Sequence, residues 1–118
     1  MGKLKVGVIG CGSIARKRHL LEYNANQHVE IVAVCDIRPE RVQETAIQYG
    51  AEAFTDFKDV LNIQEIDLIS VCLPNALHAP VSIDALNAGK HVLCEKPMAT
   101  SKEEAEAMID AAKTNNKT

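Results

Sequence analysis

The stretch Val6-Gly7-Val8-Ile9-Gly10-Cys11-Gly12-Ser13-Ile14-Ala15 constrains this chain more than any other. A short apolar run suited to a buried strand meets closely spaced glycines and then residues suited to a helix. Gly10, Gly12 and Ala15 fill the pattern G-x-G-x-x-G/A. Each small residue has its own reason. Gly10 permits a tight turn that a Cβ would obstruct, Gly12 lets the backbone approach a pyrophosphate, and Ala15 lets the helix lie close on its sheet. The unpaired N–H groups and positive dipole end of that helix then face the anion. Gly10, Cys11, Gly12, Ser13 and Ile14 are therefore candidate contacts to a dinucleotide. The pattern is short and recurs in other glycine turns, so the rest of the chain decides its meaning.

The chain has 118 residues, enough for one domain with a real core, residues 1–118. Net charge is -3 and no basic run is long enough to track a phosphate backbone, which excludes nucleic acid as a partner. Arg16-Lys17-Arg18 reads as a solvated helix face. No apolar run is long enough to span a bilayer, and the N-terminal apolar segment runs too soon into glycine to be a signal peptide. The 4 cysteines show no C-x-x-C spacing and no metal-ligand set, so a reducing, cytoplasmic compartment and no bound metal are expected.

Strand and helix signals then alternate along the chain. Strands are expected at residues 3–9, 29–35, 51–55, 66–73 and 91–95. Helices are expected from Ser13 to about Asn24, from Pro39 to a stop at Gly50, over residues 56–61, and over 79–88 with a stop at Gly89. A last helix follows Ser101, with Glu104 completing a capping-box pattern and Ala105, Met108, Ile109 and Ala112 forming its apolar stripe. This alternation is the mark of an α/β fold, a doubly wound parallel sheet with right-handed crossovers. Ligands of such sheets bind beyond the carboxyl ends of the strands, so the residues following each strand carry the chemistry.

Asp36 ends the second strand about 20 residues past the glycine turn, where an acid accepts hydrogen bonds from the adenosine ribose. Ile37 and Arg38 complete that strand end. The carboxylate would repel a 2′-phosphate, which favours NAD over NADP, whereas the Arg38 guanidinium would attract one. Leu73, Pro74 and Asn75 follow the fourth strand, and Pro74 fixes a turn over the cofactor site. Asn75 suits ribose or local backbone equally well. His78 is either a helix-start histidine satisfied by backbone or a ligand contact. Glu95, Lys96 and Pro97 follow the fifth strand. They are either a solvated ion pair or the nicotinamide end of the site, where a partly desolvated Lys96 would suit proton transfer. Cys11, at a helix start, is expected to have a lowered thiol pKa and to be sensitive to oxidation.

The glycine turn, His19-Leu20, Cys35-Asp36, Leu73-Pro74-Asn75 with His78, and Gly89-Lys90-His91-Val92-Leu93-Cys94-Glu95-Lys96-Pro97 together resemble the N-terminal Rossmann domain of the glucose–fructose oxidoreductase/inositol dehydrogenase (Gfo/Idh/MocA) family. The resemblance implies an NAD(P)-dependent oxidoreductase passing hydride between nicotinamide and a sugar, cyclitol or related alcohol. It implies that Gly10, Gly12, Ser13 and Ile14 meet the pyrophosphate and Asp36 the ribose. Pro74, Asn75 and His78 would then line the cleft, and Glu95 and catalytic Lys96 would stand at the nicotinamide. It also implies a longer, oligomeric protein with a second α/β domain, so this chain alone is expected to bind cofactor without turnover. A non-catalytic NAD(P)-sensing module is the alternative from another class. A methyltransferase also places a cofactor over a glycine turn, and Glu95-Lys96-Pro97 argues against it.

Overall fold

The computed structural model describes residues 3–12, 19–73, 75–94 and 102–117. Their elements run β1 (Leu4–Ile9), α1 (Leu20–Ala25), β2 (Val29–Cys35), α2 (Pro39–Tyr49), β3 (Glu52–Phe54), α3 (Phe57–Leu61), β4 (Leu68–Val71), α4 (Asn75–Asn87), β5 (His91–Cys94) and α5 (Lys102–Thr114). All strand pairs are parallel, in the order β3-β2-β1-β4-β5. The chain winds outward from β1 to β3 on one side and returns through β4 to β5 on the other. The direction reverses between β1 and β4, where the glycine turn leaves β1, and such a switch point opens a crevice beyond the strand ends.

Both faces of the sheet are covered. Val6 and Val8 of β1 point to one face and join Leu20, Ile31, Val34, Val42 and Ala46. Ile9 points to the other and joins Ala33, Val60, Ile69, Val71, Val81 and Ala85. Burial on both sides is why β1 and β2 read as continuous apolar runs. Each fully buried Val or Ile contributes about 1.5–3 kcal/mol of transfer free energy. Gly7 has a packing reason that the sequence did not show. A Cβ there would stand 2.8 Å from Val60 Cγ1, so the missing side chain lets α3 approach β1.

Local chemistry sets the element ends. Pro39 opens α2, and Gly50 closes it in the left-handed region at φ 66°. Asp56 caps α3, its side chain accepting from the Lys58 N–H. The Asn115 amide donates to Ala111 O at 2.9 Å and to Asn87 Oδ1 at 2.8 Å, tying the end of α5 to the end of α4.

Three expectations need correction. α4 begins at Asn75, not Ala79, and carries Pro80 inside it. The proline removes one bond, to the carbonyl one turn back, and does so in the first turns, where the loss is local. In α5, Met108 is buried but Ile109 is exposed, so the stripe is narrower than its periodicity suggested. The strand expected over 66–73 pairs only over Leu68–Val71. Ser13 and Ser101, expected as helix caps, lie outside the described residues.

Gly10 is the tightest point of the fold. Its φ is +96°, and a Cβ there would come 2.4 Å from the carbonyl oxygen of Cys72. Gly10→Ala therefore combines an unfavourable backbone conformation with overlap against rigid backbone. It is expected to destabilise the chain by at least about 3 kcal/mol. Chemical denaturation checks this, and a loss below about 1 kcal/mol would contradict the geometry.

Candidate functional site

Three strand ends converge on the glycine turn. The Gly10 N–H donates to Cys35 O at 2.7 Å, joining the turn to the end of β2. The Cys72 N–H donates to Ile9 O at 2.9 Å, joining β4 to the end of β1. The Asp36 N–H donates to Phe54 O at 3.1 Å, which fixes the acid against β3. The residues that the sequence assigned to separate strand ends thus meet at one edge of the sheet.

The Asp36 carboxylate is buried and multiply bonded. Its Oδ2 accepts from the Cys11 N–H at 2.9 Å, and its Oδ1 accepts from the Arg38 N–H at 2.9 Å. Arg41 Nη1 approaches Oδ2 at 3.5 Å. The acid therefore holds the glycine turn from inside. Among the described residues, a Cβ at Gly12 would meet Arg41 Nη1 at an ordinary contact distance of 3.5 Å. An anion at Gly12 would therefore have a guanidinium beside it.

Arg38 and Arg41 divide the contacts to Asp36 between backbone and side chain. Arg38 serves Asp36 through its backbone N–H and sits at the start of α2. Arg41, one turn into that helix, carries the guanidinium that meets the acid. Helical spacing places a residue three positions past Arg38 back over the strand end, a signal the sequence did contain. Ile37 is 86% exposed and forms an apolar rim beside the acid.

Beyond β4, Leu73 is half-buried and lies against Gly10. Its carbonyl lies 2.7 Å from His78 Nε2. A carbonyl only accepts, so Nε2 carries the proton. His78 is 1% exposed and locks the start of α4 onto the strand end, which is the backbone-satisfied role. Asn75 is the first residue of α4. Ser13, Ile14, Pro74, Glu95, Lys96 and Pro97 lie outside the described residues. Lys90, in the segment that precedes them, has a structural task. It is almost fully buried and its Nζ donates to Ile63 O at 2.6 Å, bracing the loop before β4.

The expectation for Cys11 is corrected. Its side chain is fully buried in the core cluster beneath the turn. Burial pushes the thiol up to about 11, and the same cause pushes Cys35 up to about 12. The backbone of Cys11 faces the site while its sulfur faces the core, donating to Cys35 O at 3.5 Å. Among the described residues no group of His, Cys, Asp and Glu is arranged to hold a metal ion.

Known proteins share this chain's sequence pattern and fold. The family model for Gfo/Idh/MocA proteins, described as an oxidoreductase family with an NAD-binding Rossmann fold, matches residues 4–118. The chain belongs to this family. It is 41% identical over 111 residues to the D-glucoside 3-dehydrogenase of Escherichia coli K12, covering 93% of this chain and 32% of that protein. It is 36% identical over 116 residues to the inositol 2-dehydrogenase of Salmonella typhimurium, covering 97% of this chain and 34% of that protein. Among solved structures it matches KijD10, a 3-ketoreductase from Actinomadura kijaniata in complex with NADP and TDP-benzene. That match has a TM-score of 0.94 at 34% identity and covers 98% of this chain and 36% of that one. It also matches the WlbA dehydrogenase from Bordetella pertussis in complex with NADH and UDP-GlcNAcA. There the TM-score is 0.90 at 31% identity, over 98% of this chain and 33% of that one. The chain thus spans about a third of the length of the relatives it matches.

The family's fold and the buried sulfur together set the reactivity of Cys11. In the native chain at pH 7.5, iodoacetamide is expected to leave Cys11 unmodified over a period that fully alkylates the denatured chain. Peptide mass mapping checks this, and rapid native labelling of Cys11 would contradict its burial.

Proposed function

We propose that this chain is the cofactor-binding part of a nicotinamide-dependent oxidoreductase that passes hydride between the cofactor and a sugar, cyclitol or related alcohol. The observation that carries the proposal is the bond from the Cys11 N–H to Asp36 Oδ2. It joins the turn suited to a pyrophosphate with the acid suited to a ribose, at the switch point of a parallel sheet. Family membership and the NADP and NADH named with KijD10 and WlbA support the same ligand class.

In this reading residues 1–118 act as one dinucleotide-binding domain. Gly10, Cys11, Gly12, Ser13 and Ile14 present the turn to the pyrophosphate. Asp36, with Ile37 and Arg38 beside it, receives the adenosine. Leu73, Pro74 and Asn75 form the wall of the cleft, with His78 behind it holding the Leu73 carbonyl. Glu95, Lys96 and Pro97 stand at the nicotinamide end, where Lys96 is the proton-transfer residue. The bound cofactor supplies the hydride chemistry, while these residues orient it and manage the proton. The chain spans about a third of its relatives' length, and in this reading it binds cofactor without turnover because hydride transfer also needs a positioned substrate. A homo-oligomer and a cytoplasmic location complete the proposal. Among the described residues no helix is long and apolar enough to cross a membrane.

NAD is the preferred form, because the Asp36 carboxylate faces the position of a 2′-phosphate. Arg41 is the cation that meets one. Fluorescence titration of the intact chain is expected to show tighter binding of NADH than of NADPH. Asp36→Ala is expected to weaken NADH about tenfold and NADPH less, because both lose the strut of the turn while NADPH alone is relieved of the carboxylate's repulsion. Arg41→Ala is expected to weaken NADPH more than NADH, and Arg38→Ala to change their ratio less. No binding of either dinucleotide by the intact chain would refute the proposal.

A further inference from the structure

A polar cluster lies inside the apolar layer between α1 and β4. Ser70 is fully buried in β4 between Ile69 and Val71, and His19 and Cys72 are almost fully buried. His19 Nδ1 lies 2.5 Å from Ser70 Oγ, and Tyr23 donates its hydroxyl proton to the same oxygen at 3.1 Å. Cys72 Sγ stands 3.8 Å from Ser70 Oγ. His19 and Tyr23 sit one helical turn apart with their rings edge to face, centroids 6.1 Å apart. In either tautomer of His19 the serine hydroxyl is fully used. When Nδ1 accepts, Ser70 donates to it. When Nδ1 donates, Ser70 accepts from both rings and donates to the Cys72 sulfur.

A hydroxyl at this depth has no packing advantage over an apolar side chain, and left unpaired it would be destabilising. What it adds is direction. Apolar contacts allow a helix to slide or roll on a sheet, whereas hydrogen bonds specify one position. The position they specify bears on the glycine turn from both sides. Cys72, two residues past Ser70, presents its carbonyl against Gly10 and donates its N–H to Ile9. His19 is the N-cap of α1, the first described helix after the turn in sequence.

We propose that Ser70, with His19 and Tyr23, is a positioning device that sets α1 against β4 so that the glycine turn meets the pyrophosphate of the cofactor. None of the three is assigned a contact with cofactor, so each is a positioning residue. The proposal rests on the cofactor reading above. It predicts that the cluster matters more to the diphosphate than to the adenosine, because Asp36 is also held from outside the turn by its bonds to Arg38 and Phe54.

The test compares NADH, ADP and adenosine on the wild-type chain, Ser70→Ala and Tyr23→Phe. Fluorescence reads NADH, NMR titration reads ADP and adenosine, and thermal melting is followed in parallel. Ser70→Ala is expected to weaken NADH and ADP about tenfold, and Tyr23→Phe about threefold, with adenosine changed less than about twofold. Wild-type affinity for NADH and ADP in Ser70→Ala, or an equal loss for all three ligands, overturns the proposal. Should Ser70→Ala not fold, Tyr23→Phe decides alone: selective loss of ADP supports the device and unchanged ADP overturns it. If the wild-type chain binds neither NADH nor ADP, the cofactor reading fails and this proposal with it. If the wild type binds and the variants match it, this proposal alone fails.

Discussion

A buried carboxylate organises the working edge of this molecule. Asp36 is 8% exposed, and an ionised carboxylate is removed from water only where hydrogen bonds and a counter-charge replace its hydration. The Cys11 and Arg38 N–H groups and the Arg41 guanidinium do so here. Charge-assisted bonds of this kind are short and directional, so they specify the shape of the turn that they hold. The acid that we propose for ribose recognition is thus also an internal strut. The glycine turn depends on it, and so does the approach of α2, which brings Arg41 across.

The sheet order makes this convergence possible. Parallel strands on either side of β1 deliver all their carboxyl ends to one edge, and the reversal at β1 leaves room there. Backbone bonds from Gly10 to Cys35 and from Cys72 to Ile9 then draw the ends of β1, β2 and β4 together. Gly10 tolerates the contact with the Cys72 carbonyl only because it lacks a Cβ. Lys90 performs an unrelated task at the opposite, amino edge, where it satisfies loop carbonyls. Within the segment Gly89-Lys90-His91, Lys90 is thus a structural residue.

Much of this was legible in the chain. β2 and α2 were read at their observed limits because Val and Ile runs, Pro39 and Gly50 act through local sterics. The fold class followed from the alternation, and the family from its motifs. Other features were not legible for stated reasons. Pro80 suggested a helix start because propensity disfavours it inside, yet the loss of one bond in the first turns is local. Cys11 suggested an activated thiol because the sequence puts it at a helix start; the sulfur instead enters the core, where burial outweighs that effect. Of the histidines, His19 carried no partner pattern, since its partner Ser70 is 51 residues away.

The sequence by itself determined the order of strands and helices, the glycine turn and the acid that answers it. Each rests on short-range chemistry: periodicity, caps, and residues that do or do not tolerate a Cβ. Only the tertiary structure decided which of Arg38 and Arg41 reaches Asp36, which way Cys11 faces, and that His78 spends its Nε2 proton on the Leu73 carbonyl. Those outcomes depend on directions in space between elements distant in the chain. A side chain's neighbours are set by how helices dock on the sheet, and docking is settled by packing and hydrogen bonds that no local pattern encodes.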